Sequence, residues 1–366
     1  MHFKRDVETN SVSLQIRKSF TNANITTHTV LTDDVFTYVD FFFKTHKRII
    51  KDDNNARVKQ DYSFYWSQAR NFYNAAKLLP IESSPLPMYY SMLNAIKAYL
   101  LYYTSDYASI ANDFKGHGLK EAVCEGDDLS SIYVQRNNWG VFCRFAKTLD
   151  VDFEMKWSNG DNGKQSIKNL LYQLPFIHAA YVSTYSLPRK LERFIPLKSG
   201  TSPTFRYGSD RKIHLVVDID KGYFKQDAVS IPDDIMRTIS DDFEINPDNG
   251  FQLISKDCFK KSEITNVYRK YRKEFSYIKA NNRLWYYHRN PVSAEDMQNI
   301  NTMTATVAIV HRFSEIVRYK PEQMVALLEG KENWLIHEFL SLALDQFMDE
   351  IACEITKQEI MSTRTK

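Results

Sequence analysis

The segment Pro85–Tyr103, PLPMYYSMLNAIKAYLLYY, limits what this chain can fold into more than any other. Its two prolines stand at the start, where a helix tolerates a missing N–H because that donor has no intrahelical partner to lose. From Met88 to Tyr103 no glycine or proline interrupts it. Tyr89, Met92–Leu93, Ile96, Tyr99–Leu100 and Tyr103 recur at helical spacing, and Leu101 and Tyr102 widen the stripe. A helix that is apolar over most of its circumference is stable only when neighbours cover it. The tyrosines bring large apolar bodies whose hydroxyls seek polar partners. The segment is therefore expected to be core, with Tyr89, Met92, Leu93, Ile96 and Leu100 buried, rather than the wall of an aromatic ligand cage. Eleven Gly and eleven Pro in 366 residues fall well below the usual share. Few breakers mean long elements, which favours helices over a many-turned β fold.

The flanking sequence extends this reading. A short strand and then a helix beginning at Asp33 or Asp34 are expected in ITTHTVLTDDVFTYVDFFFKTHKRII, followed by the polar loop KDDNNARVKQD. DYSFYWSQARNFYNAAKLLP puts Tyr65, Gln68–Ala69, Phe72–Tyr73 and Ala76 on one helix face and stops at Pro80. Ser84, just before Pro85, is expected to cap the next helix. Gly116 and Gly118 flank His117 and predict a turn with positive φ. NWGVFCRFAKTL and KQSIKNLLYQLPFIHAAYVSTY read as short helical or mixed segments.

The middle changes character. FRYGSDRKIHLVV reads as a hairpin turning at Gly208–Asp210, KIHLVVDID as a β-branched strand, and GFQLISKD as another strand after the turn INPDNG. From about Glu263 helix is expected again. A capping box from Ser293 to Asp296 opens a stripe through Met297, Ile300, Met303–Thr304, Val307 and Val310–His311, which Pro321 ends. PEQMVALLEG then predicts a short helix, and ENWLIHEFLSLALDQFMDEIACEI an amphipathic one with an acidic face. The expected fold is mainly α, a helical bundle with a small antiparallel β insertion, α+β overall. Its regions are a mixed segment over 1–60, a helical region over 61–190, a β-rich insertion over 191–260 and a C-terminal helical region over 261–366.

Net charge is 48 − 45 = +3, less basic than a nucleic-acid module usually is. The four cysteines, Cys124, Cys143, Cys258 and Cys353, show no C-x-x-C spacing and no nearby histidine pair, so no metal site is expected and the thiols read as reduced. No cofactor is expected either: neither G-x-x-x-x-G-K-[ST] nor G-x-G-x-x-G occurs, nor G-x-S-x-G, nor H-E-x-x-H. There is no 18-residue apolar run and no signal-peptide h-region at the start, so a cytoplasmic protein without membrane association is expected.

Three segments together resemble a known family: PLPMYYSMLNAIKAYL, the GHGL turn at Gly116–Leu119, and VAIVHRFSEIVRYKPEQMVALL, in which Arg318, Tyr319 and Pro321 form an RY-x-P helix end, followed by a helix carrying HEFL at His337–Leu340. In this order they resemble the YaaC-like family of bacterial cytosolic proteins. The resemblance spans most of the chain, and its motifs are largely core residues. The expected function is that of a non-enzymatic helical interaction protein, joined to another subunit or to its own copies. Relatives of such helical proteins occur beside anti-phage genes, so the resemblance also implies a component of a defence complex.

Three constellations carry chemistry of their own. In NNRLWYYHRN, Arg283 and His288 stand five apart, a spacing similar to that of metal-independent helical RNases of the HEPN type. There the histidine serves as general acid or base and the arginine steadies phosphate charge. This sequence departs from that pattern, with Leu284 where a polar residue is common and Pro291 close behind. The competing reading is an aromatic segment packed on the core. Just upstream, Arg269, Lys270, Arg272, Lys273 and Lys279 form the densest basic run, with tyrosines interleaved. Such a run can hold a phosphate backbone and stack single-stranded bases, and the nucleic-acid reading rests on it; a solvated helix face is the competing reading. Asp218 and Asp220 share a strand face in VVDID, as metal-dependent nuclease carboxylates do, with Lys221 and Lys225 nearby, but a solvated strand end is the simpler account.

Overall fold

The computed structural model describes residues 14–21, 29–51, 61–104, 107–122, 126, 128–149, 157, 163–208, 211–280, 284–290 and 300–363. About half the chain is helical, with twelve α-helices among the described residues and four small sheets, an α+β architecture. Two compact units divide it. One takes residues 1–28, 188–295 and 366; the other takes 29–187 and 296–365.

The larger unit is built around the helix Pro85–Tyr103. It packs against the helices Tyr62–Leu78, Thr302–Tyr319 and Asn333–Thr356. Tyr89, Met92, Leu93, Ile96 and Leu100 are all buried, as the stripe predicts. Removing a side chain such as Leu93 from water stabilises by about 1.5–3 kcal/mol. The helix Val35–Thr45 starts where the sequence places it, with Asp34 accepting from the Thr37 N–H at 3.0 Å. Asp61 caps Tyr62–Leu78 in the same way. Ser84 does not cap its helix. Its backbone is already helical and its hydroxyl donates to the Ile81 carbonyl at 3.2 Å, so the prolines alone define that start.

Two helices differ from expectation in instructive ways. Asn301, not the expected box, caps Thr302–Tyr319 through the Met303 N–H at 2.9 Å; Ser293 and Asp296 lie outside the described residues. The last helix has no solvated acidic face over its second half. Asp349, Glu350 and Glu354 are buried. Glu354 is held by the Lys357 ammonium at 2.7 Å, and Glu350 accepts from the Gln346 amide and from Thr302 Oγ1 at 3.4 Å. Buried carboxylates persist only when paired in this way.

The smaller unit carries a five-stranded antiparallel sheet, Leu14–Gln15, Thr204–Tyr207, Ile213–Asp218, Asn249–Ser255 and Phe243–Asn246 in that spatial order. The strands of the expected hairpin, Thr204–Tyr207 and Ile213–Asp218, pair as predicted, and the strand expected after INPDNG is present and pairs with Phe243–Asn246. Beyond them the structure departs from the sequence reading: the described residues of 261–290 are not a helical continuation. A helix covers only Ile264–Arg272, and then Phe275–Ile278 and Leu284–His288 pair as antiparallel strands, joined by Phe194–Pro196. Aromatic residues at alternate positions drive this, since they fit a pleated, half-buried surface. Trp285 and Tyr287 point inward while Tyr286 stays half-exposed.

Candidate functional site

The three segments that carry the family resemblance meet in the larger unit. Tyr89, from the first turns of Pro85–Tyr103, shares a 2.8 Å hydrogen bond between its hydroxyl and His117 Nδ1. The Tyr89 ring also stands edge-on to His311, from Thr302–Tyr319, with centroids 4.9 Å apart, and the two imidazoles lie 6.0 Å apart.

His117 is held out by its turn. The carbonyls of Gly116 and His117 receive the Val141 and Phe142 N–H groups at 3.0 Å each, tying the turn to the start of the helix Val141–Leu149. Gly118 has the expected positive φ of 87°, whereas Gly116 is extended. A second glycine, not anticipated, makes the approach possible. Gly140 has φ 109°, and a Cβ there would meet the Gly118 nitrogen at 2.5 Å.

Charge surrounds the pair of imidazoles. Burial pushes His311 down to about 3, and His117, Arg318 and Arg312 add to the effect. Its Nδ1 is buried, without a hydrogen-bond partner among the described residues, and lies 3.8 Å from Glu315 Oε2. Partial burial of its ring, followed by the charges of Lys97 and Arg318, lowers His117 as well. Both imidazoles are therefore neutral at neutral pH. Burial raises Tyr89, so it keeps its proton, and burial raises Glu315 against the pull of Arg312.

The cations divide into two kinds. Arg312 is buried and committed, at 2.7 Å from Glu121 and 3.2 Å from Glu315; Lys320 also reaches Glu121 at 2.9 Å. Lys320 and Arg312 hold the Glu121 carboxyl below its usual value. Lys97 and Arg318 are different: neither forms an ion pair among the described residues. Lys97 lies over the rings of Tyr65 and Phe114 at 5.3 and 5.4 Å, and its burial lowers its pKa. Arg318 is exposed; its Nε donates to the Ser314 carbonyl at 3.1 Å and its guanidinium lies 5.0 Å over the Tyr319 ring. His117 is also exposed, with Nδ1 taken by Tyr89 and no described partner on Nε2. Two free cations beside a neutral imidazole make a surface that an oxyanion would satisfy.

The residues singled out from sequence lie elsewhere, in the smaller unit. His288 is buried at the end of a strand, with Nε2 hydrogen-bonded to the Ser276 hydroxyl and its ring edge-on to Phe194. Arg283 lies outside the described residues. The described part of this stretch, Leu284–His288, is a strand rather than a helix. The basic run is also broken up. Arg272 is buried and donates to the carbonyls of Arg17, Lys18 and Phe275 at 2.8, 2.8 and 2.5 Å, with its guanidinium 3.7 Å over Phe20. Lys270 pairs with Asp242 at 2.8 Å. Arg269 and Lys273 are half-buried and Lys279 is exposed. Asp218 accepts from Gln252 at 2.6 Å and Asp220 from the Gly222 N–H at 2.9 Å, each satisfied locally. Among the described residues no three His, Cys, Asp or Glu side chains gather as metal ligands. Cys143, Cys258 and Cys353 form no disulfide among the described residues, and Cys124 lies outside them. Among the described residues no helix is long and apolar enough to cross a membrane.

Sequence reasoning missed Tyr89, His117 and His311 as a unit. Tyr89 was expected to be core only, and the GHGL turn carried no role. The available signal was that the resemblance lay in three segments far apart in the chain, each contributing one titratable side chain.

Fold and cluster together define an α+β protein with a neutral-imidazole, free-cation site in its helical unit. The chain belongs to the family described as YaaC-like protein, which it matches over residues 28–355. No curated protein and no solved structure matches it.

Proposed function

We propose that this is a helical interaction protein that recognises a phosphate-type oxyanion through His117, Arg318 and Lys97. The observation that carries this reading is the pair of cations left without a carboxylate partner beside the exposed, neutral His117. An oxyanion would accept from the Arg318 guanidinium, the Lys97 ammonium and a His117 Nε2–H, each a charge-assisted or strong neutral donor. Tyr89, donating its hydroxyl proton to Nδ1, leaves the proton of the neutral imidazole on Nε2. The resemblance supports a cytoplasmic setting and a place in a bacterial defence complex, with another subunit or a second copy as partner. A phosphate group on that partner, or on RNA, is the ligand to look for.

The test is titration of the full chain with inorganic phosphate and with a short single-stranded RNA, read by calorimetry and by the His117 ring signals in NMR. Saturable binding that His117→Ala and Arg318→Ala each weaken, with melting temperature unchanged, supports the reading. Binding indifferent to both substitutions, or no binding to either probe, removes it.

A second reading has one specific support. Neutral imidazoles are the form a general base requires, and two of them stand beside an arginine. Metal-free cleavage of the same RNA, abolished in His117→Ala, would make this site catalytic. Catalysis by Arg283 and His288 remains the alternative location for such an activity, but the buried hydrogen bond of His288 to Ser276 offers it little support.

A further inference from the structure

The smaller unit holds a cavity of about 460 Å³, a size that suits a small-molecule ligand. The aromatic side chains Tyr223 and Phe224 and the aliphatic Val229 and Ile235 line it. So do three cations, Arg189, Lys190 and Lys225, and none of the three pairs with a carboxylate among the described residues. The Arg189 guanidinium lies 4.2 Å over the Tyr223 ring. Stacking of this kind occupies a face of the guanidinium and keeps its N–H groups directed in plane, the geometry that meets two phosphate oxygens.

The cationic edge is fixed from behind. Arg289, fully buried, donates to the Arg189 carbonyl at 3.0 Å, the Lys190 carbonyl at 3.2 Å and Thr238 Oγ1 at 2.9 Å. The Tyr223 hydroxyl donates to Glu192 at 3.0 Å, and Phe224 leans on Phe251 with centroids 5.6 Å apart. The backbone that carries two cations, and the ring that carries the stacked guanidinium, are thus ordered before any ligand arrives, which lowers the entropic cost of binding.

We propose that this cavity binds a nucleotide. Its phosphate would sit on Arg189, Lys190 and Lys225, and its base against Tyr223, Phe224 and the aliphatic side chains. Asp227 and Asp234, which also line the cavity, would accept from ribose hydroxyls or an exocyclic amine. A ligand that is anionic at one end, planar and apolar in its body, and rich in donors satisfies all three parts of the lining; inorganic phosphate or a plain hydrocarbon satisfies one.

The proposal is tested by calorimetric titration of the full chain with ADP, and with adenosine and inorganic phosphate separately. The expected result is saturable binding of ADP, tighter than either fragment and weakened at least ~10-fold by Arg189→Glu or Lys225→Glu, the loss of a charge-assisted contact. Both side chains are exposed, and circular dichroism checks that each variant is folded. Each titration is carried out in the Arg318→Ala background, which disables the oxyanion site proposed above, so that the binding read belongs to this cavity. Failure of ADP to saturate, binding equal to that of adenosine, or indifference to both charge reversals would each overturn it.

Discussion

His311 concentrates the chemistry of the larger unit into one side chain. It is buried against Tyr89, with Glu315, Arg312, Arg318 and His117 around it, and its Nδ1 lacks a hydrogen bond among the described residues. Its ordinary value of 6.5 falls to about 3 in the fold, so the folded state binds fewer protons than the unfolded state between those limits. Its contribution to stability is complete above about 6.5 and is lost as pH falls from there toward about 3. His117 acts in the same direction. We expect the unfolding free energy of the parent, followed by urea denaturation at pH 7, 5 and 4, to fall more steeply than that of His311→Phe. Parallel slopes would mean that His311 is not held neutral by the fold. Arg272 makes the opposite point about reading charge from sequence. Its place in a basic run suggested a phosphate contact, yet its guanidinium closes three backbone carbonyls inside the smaller unit. Arg272→Ala leaves those acceptors unsatisfied and should destabilise by roughly 2–5 kcal/mol. A variant as stable as the parent that loses RNA affinity would restore the nucleic-acid reading.

Among elements, the legible ones were those whose period speaks for itself. Pro85–Tyr103 has the bounds its sequence predicts, because its prolines fix one end and its apolar stripe runs unbroken to the other. The strands Phe275–Ile278 and Leu284–His288 were not legible. Their short aromatic runs sit beside a basic helix, and period alone cannot tell a buried strand from a buried helical segment. The acids of Asn333–Thr356 misled for a related reason: Glu350 and Glu354 follow helical spacing, and only their partners in the fold make burial tolerable. The site was half legible. The His117 turn announced itself by its glycines, but Gly140, which lets the turn approach Val141–Leu149, is distant in sequence. Gly140→Ala sets a Cβ 2.5 Å from the Gly118 nitrogen and strains φ 109°. We expect a loss of about 1–3 kcal/mol together with weakened phosphate binding, since the turn that presents His117 must shift. An unchanged His117 NMR signal in that variant would show that the turn does not depend on the glycine.

For the whole molecule, charge decides which surface meets a polyanion. The chain carries 48 basic and 45 acidic residues, a net charge of +3 that gives little long-range attraction by itself. Binding of single-stranded RNA would then depend on local cations, and the two candidate surfaces differ in how many they offer. The oxyanion site offers two, Lys97 and Arg318, beside a neutral histidine. The basic run offers five on paper, Arg269, Lys270, Arg272, Lys273 and Lys279. Single strands release counterions so that log K falls with log salt at about −0.7 per phosphate neutralised. The oxyanion site therefore corresponds to a slope of roughly −1.4, and the full basic run to roughly −3.5. Because Arg272 is buried and Lys270 is paired with Asp242, we expect the shallower slope when RNA affinity is followed across a salt series. Arg318→Ala should reduce the slope by about one contact, to roughly −0.7. A steep slope that Arg318→Ala does not alter would move RNA recognition to the smaller unit and leave the His117 site to a ligand carried by another partner.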